Sequence, residues 1–169
     1  MDLVKQLIEC LGLVPHPEEG GFYKETYRSE ETIQSQSLPE RYTSPKAFST
    51  AIYYLLTSQS VSEMHRLPSD EVFHFYLGNS VEMLLLHGDG STETLVLGSN
   101  VFEGEIPQLL VTASTWQGCC LREGGTFALL GTTVAPGFDF LDYDRGEREE
   151  LLSHYPSQRE LITKLTPRG

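Results

Sequence analysis

The 169-residue sequence is poor in cysteine and in positive charge, and it has no long apolar run. Its three cysteines, Cys10, Cys119 and Cys120, form no C-x-x-C pair, which disfavours a disulfide framework and a structural zinc site. No apolar stretch approaches the roughly 20 residues that span a bilayer. The N-terminus also lacks the pattern of a signal peptide. We therefore expect a cytoplasmic protein without a membrane partner.

Acidic residues outnumber basic residues, 24 to 12, and the formal net charge is −12. Such a balance repels phosphate backbones, so we expect no nucleic-acid partner. The hydrophobic content of 39% is ordinary for a globular protein, and the chain is long enough to bury one core. Length and composition together predict a single domain over residues 1–169.

Hydrophobic periodicity divides the chain into three parts. Apolar residues at three- and four-residue steps predict a helix over residues 2–12. Between about residues 20 and 140, short runs rich in β-branched and aromatic residues are separated by glycine turns, which is typical of an antiparallel sandwich or barrel. Residues 145–165 return to helical spacing and predict two short helices, with Pro156 at the start of the second.

The stretch 62–90 holds the strongest candidate for a functional site. Alternation along a strand at 71–77 places four side chains inside the barrel: Glu71, Phe73, Phe75 and Leu77. A buried carboxylate is costly unless it is paired, so we expect His65, at the end of the preceding strand, to be its neighbour. Burial should raise the pKa of Glu71, and a charged His65 should lower it. The pair is a candidate base and orienting acid, half of a metal site, or a structural hydrogen bond.

The same stretch resembles the first cupin motif, G-x5-H-x-H-x3–4-E-x6-G. His65 stands at its first histidine, Leu67 at its second and Glu71 at its glutamate. Gln117, in "TASTWQ", stands at the histidine of the second cupin motif. Three longer blocks, "LGLVPHPEEGGFYKETYRS", "HRLPSDEVFHFYLG" and "GTTVAPGFDF", resemble the Cupin_5 family, once catalogued as domain of unknown function 985.

The resemblance implies an all-β fold: a double-stranded β-helix, that is a jelly-roll or cupin barrel, with short terminal α-helices. It also implies a homodimer with exchanged strands, and a shape similar to deoxysugar epimerases, which work without metal through a cavity histidine. A metal cupin offers three histidines and one glutamate. Because Leu67 cannot ligate and Gln117 is a weak ligand, we expect no cofactor. A divalent metal held loosely by His65, Glu71 and Gln117 is the alternative.

Further candidate ligand-binding residues surround the expected cavity: Lys24, Phe73, Phe75, Gln117, Phe138 and Asp139. In an exchanged dimer, the strand "FYKETYR" would close the partner's cavity and offer Tyr27 as an acid; alternatively its charges form a solvated edge. Asp139 either lines the pocket or caps its own backbone in a bulge. Gln117 either lines the cavity or satisfies buried backbone groups. His16, between two prolines, is interpreted as a loop residue.

The leading hypothesis is a cupin that binds a small polar molecule, for example a carbohydrate or a nucleotide-sugar, with metal-independent epimerase- or isomerase-like chemistry. His65 would remove a proton next to a carbonyl, Glu71 would orient it, and Tyr27 or Asp139 would assist. The first alternative is a non-catalytic binding protein, which the sequence does not separate from the enzyme. A divalent-metal enzyme has less support, because two ligand positions are missing.

Overall fold

The structure is a computed structural model that describes residues 3–167. Its three α-helices are α1 (Leu3–Leu11), α2 (Arg148–His154) and α3 (Arg159–Leu165). Its strands are β1 (Val14–Pro15), β2 (Phe22–Arg28), β3 (Thr32–Ile33), β4 (Lys46–Ala47), β5 (Thr50–Thr57), β6 (Val61–Arg66), β7 (Asp70–Gly78), β8 (Val81–Leu86), β9 (Thr92–Leu97), β10 (Gln108–Val111), β11 (Trp116–Leu121), β12 (Phe127–Ala135) and β13 (Asp144–Arg145). None of these helices is long and apolar enough to cross a bilayer.

The strands from β5 to β12 pair as one long hairpin that is rolled up. β8 pairs with β9, β7 with β10, β6 with β11 and β5 with β12, all antiparallel. Lateral pairing of β12 with β7 and of β11 with β8 closes the roll into two sheets. Their strand orders are β1-β2-β5-β12-β7-β10 and β13-β6-β11-β8-β9. The predicted all-β jelly-roll fold is confirmed.

The main core lies between the two sheets, and the helices cover part of each outer face. The inner side chains include Tyr54, Phe73 and Met83. A second cluster packs α2 and α3 against the five-stranded sheet through residues such as Met64 and Ile162. The amphipathic α1 packs against the six-stranded sheet. Along a strand, alternate side chains therefore face the interior of the roll, and the others face a covering helix or solvent.

Strand β7 shows where the alternation rule works and where it stops. Glu71 and Phe73 are buried inside the roll, and His74 lies half-buried on the other face, where its ring pairs with the Thr133 hydroxyl at 3.1 Å. Leu77, however, is 42% exposed, so the prediction that it faces inward is wrong. A bulge interrupts the pairing with β12 between Phe75 and Leu77, and an extra residue reverses the faces beyond it.

Candidate functional site

A cavity of about 240 Å³ opens between the two sheets. Residues of both sheets and of the segments that follow β1, β6 and β12 line it: His16, Glu19, Tyr23, Glu25, Thr50, Ala51, Ile52, His65, Leu67, Glu71, Thr132, Val134, Phe138 and Phe140. Two histidines and three glutamates thus share one partly apolar chamber. This combination of enclosure and convergent polar groups is typical of a small-molecule site.

His65 lies on β6 with its imidazole buried in the cavity wall. Its Nδ1 lies 2.7 Å from the backbone carbonyl oxygen of Glu63. A carbonyl oxygen only accepts, so Nδ1 carries the proton and the neutral ring keeps a lone pair on Nε2. Tyr143 stacks on the ring with 4.9 Å between centroids, which fixes its plane. Burial lowers the pKa of His65, with a smaller opposing effect of Glu71, so the ring is held in its basic, neutral form.

Glu71 lies on β7 and is bound by Gln117, which is opposite His65 in the pairing of β11 with β6. The Gln117 amide Nε2 donates a hydrogen bond of 2.7 Å to Oε2 of Glu71. Burial raises the pKa of Glu71, as the sequence predicts, and the nearby Glu19 raises it further, while His65 lowers it. Among the described residues no hydrogen bond joins Glu71 to His65. The Glu63 carbonyl, rather than Glu71, orients the imidazole.

His16 and Glu19 belong to a tight loop that sequence reasoning assigned no functional role. The loop lies against β6, where Glu63 N–H donates to the Glu19 carbonyl at 2.9 Å. Gly20 permits this approach, because its φ is +94° and a Cβ there would lie 2.5 Å from the Val61 carbonyl oxygen. This close approach of the loop to β6 places the buried His16 imidazole and the buried Glu19 carboxyl in the cavity lining.

The backbone sets the tautomer of His16. Its Nδ1 accepts hydrogen bonds from the N–H groups of Glu19 at 2.8 Å and Glu18 at 3.3 Å, so the neutral ring carries its proton on Nε2. Burial lowers the pKa of His16, while Glu19 raises it. Glu19 itself accepts a short hydrogen bond from the Ser62 hydroxyl, and burial raises its pKa.

The mouth of the cavity is aromatic and carries one ion pair. Phe138 and Phe140 meet edge to face at 5.1 Å, and Tyr23 contacts Phe140 at 6.4 Å between centroids. Glu25 accepts two hydrogen bonds from Arg28, at 3.0 and 2.7 Å. Arg28 also donates to the Phe138 carbonyl at 3.0 Å, which ties β2 to the segment that follows β12.

Of the residues singled out from the sequence, His65, Glu71 and Phe138 line the cavity, and Gln117 lies behind Glu71. The others lie elsewhere. Phe73 and Phe75 pack in the core between the sheets. Lys24 and Tyr27 are exposed on β2. The Asp139 carboxylate accepts from the Leu141 N–H at 2.9 Å, which matches the alternative of a backbone cap.

The position of Tyr27 follows from a bulge. Tyr23 and Glu25 alternate onto the cavity side of β2, and simple alternation would place Tyr27 there as well. Pairing with β5 shifts register between Glu25 and Tyr27, and the extra residue, Thr26, changes the face. Tyr23 is therefore the tyrosine in the lining.

The donor set does not fit a transition metal held in the manner of a metal cupin. Leu67, at the second histidine position, lines the cavity with an apolar side chain. Gln117 points its amide N–H, a donor, at Glu71. Within residues 3–167, no group of three His, Cys, Asp or Glu side chains is arranged to hold an ion.

Comparison with known families agrees with this architecture. Residues 5–145 match the Cupin_5 family, described as "Cupin superfamily (DUF985)". The chain belongs to this family. It is 30% identical over 162 residues to the uncharacterized protein YML079W of Saccharomyces cerevisiae, an alignment that covers 89% of this chain and 79% of the yeast protein.

Solved structures show how far the cupin resemblance extends. Protein SO0799 from Shewanella oneidensis has a TM-score of 0.85 and 34% identity, with 98% of each chain covered. A hypothetical protein from Leishmania major has a TM-score of 0.84 and 26% identity, with 96% of this chain and 97% of the other covered. Oxalate decarboxylase from Bacillus subtilis shares the fold alone, at 14% identity and a TM-score of 0.53, over 90% of this chain and 37% of the enzyme.

Proposed function

We propose that this cupin binds a small polar molecule, for example a carbohydrate, in the barrel cavity and transfers a proton without metal, in the manner of an epimerase or isomerase. One observation supports the chemistry above all others. The Glu63 carbonyl holds the proton of His65 on Nδ1, which leaves the Nε2 lone pair to act as a base at the cavity wall. A neutral imidazole at neutral pH is suited to removing a proton next to a carbonyl.

Glu71 supports this base through charge rather than through a hydrogen bond. When His65 takes up a proton, the imidazolium lies in a buried site, where an unpaired cation is costly. The carboxylate of Glu71 raises the pKa of His65 and thereby stabilises the protonated ring. Gln117 fixes the carboxylate by its 2.7 Å hydrogen bond. Gln117 is thus a positioning residue in the proposal.

The test is exchange of substrate protons with solvent. The protein would be incubated in D2O with a panel of aldoses, ketoses and nucleotide-sugars, and loss of C–H signals would be followed by NMR. We expect His65→Asn to slow the exchange by about 10²–10⁴-fold. The new amide can still donate to the Glu63 carbonyl, so orientation is kept while the Nε2 base is lost. His74→Asn is the matched control, because His74 is a histidine that lies outside the cavity lining, on the face of β7 opposite Glu71. Equal exchange by His65→Asn and wild type would refute the role of His65.

A non-catalytic binding protein is the second candidate, and one observation favours it. The polar groups at the mouth and wall largely satisfy one another: Arg28 pairs with Glu25, Gln117 with Glu71 and Ser62 with Glu19. Such internal pairing suits a rigid recognition site. Thermal stabilisation by a compound of the panel, without any exchange of its protons, would select this candidate.

We also propose a homodimer that forms through β2. Strand β1 pairs only with Phe22 and Tyr23, so within the described residues the outer edge of β2 beyond Tyr23 has no strand partner. A free edge with aromatic and charged side chains is open to strand addition from a second copy. Light scattering at micromolar concentration should report a dimer. A monomer would exclude the proposal.

A further inference from the structure

The two cavity histidines carry their protons on opposite ring nitrogens. His65 donates from Nδ1 to a backbone carbonyl, whereas His16 accepts at Nδ1 from two backbone N–H groups. The neutral rings therefore present a lone pair at Nε2 of His65 and an N–H at Nε2 of His16. Backbone geometry fixes both states, so they do not depend on a ligand.

Both Nε2 atoms are left for a ligand. His16 and His65 are buried, and both line the same cavity. Nε2 of His16 lies 3.7 Å from the nearest Glu19 oxygen, beyond hydrogen-bond distance. Nε2 of His65 has no hydrogen-bond partner among residues 3–167. The cavity thus offers one donor and one acceptor that form no hydrogen bond within the described protein, and the Glu19 carboxyl is the charged neighbour of the donor.

We infer that His16 is the second functional residue of the site and that, together with His65, it recognises a neutral α-hydroxycarbonyl compound such as an open-chain ketose. The inference rests on the proposed function and names its substrate class. The carbonyl oxygen accepts from His16 Nε2–H, and the neighbouring C–H or hydroxyl faces His65 Nε2. The donor on one ring and the lone pair on the other are complementary in kind to the carbonyl oxygen and to the neighbouring hydroxyl or C–H of such a compound.

The charge of the lining selects a neutral ligand. No lysine or arginine is among the residues that line the cavity in the described chain, whereas Glu19, Glu25 and Glu71 are. A phosphate or carboxylate placed there would be buried near acidic groups without a cation, which is costly. A cationic amine is not required either, because each of the three carboxyl groups already accepts from a protein donor. The phosphates of a nucleotide-sugar would therefore have to remain outside this chamber.

The proton transfer balances with these two groups alone. Nε2 of His65 takes the proton from the carbon next to the carbonyl, and the C–H electron pair becomes the C=C bond of an enediolate. The carbonyl π electrons move to oxygen, where His16 Nε2–H stabilises the developing negative charge. Return of a proton to carbon from His65, after exchange with solvent, restores the carbonyl compound without an oxidant or a metal.

The probes for the experiment are dihydroxyacetone, D-xylulose and D-fructose, each compared with its 1-phosphate ester. Exchange of their C–H protons in D2O is measured by NMR with wild type, His16→Asn, His16→Gln and His65→Asn. In His16→Asn the new carbonyl oxygen can still accept from Glu19 N–H, so the loop is retained while the cavity donor is lost. In His16→Gln the longer side chain returns an N–H near the position of Nε2.

We expect exchange in at least one neutral ketose, at least about tenfold faster than in its ester. His16→Asn should slow it by about 10²-fold, and His16→Gln should recover part of the rate. Equal rates in wild type and His16→Asn would overturn the role of His16. Faster exchange in the esters, or none in the neutral probes, would overturn the ligand class. Exchange that is unchanged in His65→Asn would instead be a failure of the proposed function itself.

Discussion

Gln117 donates a 2.7 Å hydrogen bond from its side-chain amide to Oε2 of Glu71, and both side chains are buried inside the roll. The carbonyl oxygen of the same amide, Oε1, has no partner among the described residues. A buried acceptor without a donor costs about 1–3 kcal/mol. The Gln117 amide thus directs its donor to Glu71 and fixes the position of that carboxyl.

The first prediction concerns the pH dependence of stability caused by Glu71. Its pKa is raised above the ordinary value of 4.5, first by burial and then by Glu19. The folded protein thus binds this proton more tightly than the unfolded chain does. The resulting stability is present below the unfolded pKa and is lost as pH rises through the folded pKa. In Glu71→Gln, which does not ionise, this loss should disappear.

The measurement is urea unfolding of wild type and Glu71→Gln at about pH 4.5 and about pH 8. The unfolding free energy of Glu71→Gln minus that of wild type should be larger at the higher pH than at the lower pH. If the Gln117 amide turns over, the new amide can also donate to Oε1 of Gln117, which would stabilise the variant equally at both pH values and leave the shift unchanged. Glu103→Gln, at an exposed turn, is the control. The same shift in both variants would contradict a raised pKa of the buried Glu71 carboxyl.

The second prediction separates two tyrosines of β2. Tyr23 lines the cavity with its ring 4.7 Å from that of His16, whereas Tyr27 is 52% exposed. Tyr23→Phe should weaken ligand binding by about 1 kcal/mol, because the substitution removes one hydrogen-bonding hydroxyl from a residue that lines the cavity. Tyr27→Phe should bind as wild type does. A loss confined to Tyr27→Phe would support the role assigned to it from the sequence, with the strand exchanged between protomers.

The third prediction concerns metal. Elemental analysis of the purified protein should find no stoichiometric transition metal, because Leu67 and Gln117 stand at two ligand positions of a metal cupin. The double variant Leu67→His, Gln117→His would supply two imidazoles beside His65 and Glu71, and we expect it to bind added Mn²⁺ or Zn²⁺. One tightly held ion per wild-type chain, lost on His65→Ala, would contradict the prediction.

The elements of the fold were largely predictable because their burial pattern is apolar. β7 and β8 carry regular runs of large hydrophobic side chains, which mark buried strands. β6 gives a weaker signal because Ser62, Glu63 and His65 are polar although all three are buried. Polar burial of this kind is unfavourable for folding unless the groups are paired, and here His65 lines the cavity while Ser62 and the Glu63 carbonyl bond residues of its lining.

Two features of the site lay beyond sequence reasoning. Strand alternation fails wherever one residue is inserted, and bulges at Thr26 and before Leu77 moved side chains to the other face. His16 was missed because neither periodicity nor motif marks a loop between prolines. The available signal was the Gly20–Gly21 pair, since both have positive φ and approach the backbone of other strands closely. Such a pair predicts a loop pressed against the sheet.

The last prediction concerns the ion pair beneath the cavity mouth. Lys46 Nζ lies 2.8 Å from the Asp142 carboxylate and 3.0 Å from the Ser44 hydroxyl, and the lysine side chain is only 1% exposed. Asp142 belongs to the segment that carries Phe138 and Phe140 into the lining. Lys46→Met leaves a carboxylate without its partner and should cost about 3–5 kcal/mol of unfolding free energy.

The double variant Lys46→Met, Asp142→Leu tests whether the cost comes from the unpaired charge. Replacing both partners with apolar groups removes the buried charge entirely, so the double variant should be more stable than Lys46→Met alone. Urea unfolding of the three variants and wild type completes the cycle. If the two single substitutions were simply additive, the ion pair would contribute no coupling. Phe138 and Phe140 would then be held at the cavity mouth by other contacts, such as the Arg28 bond to the Phe138 carbonyl.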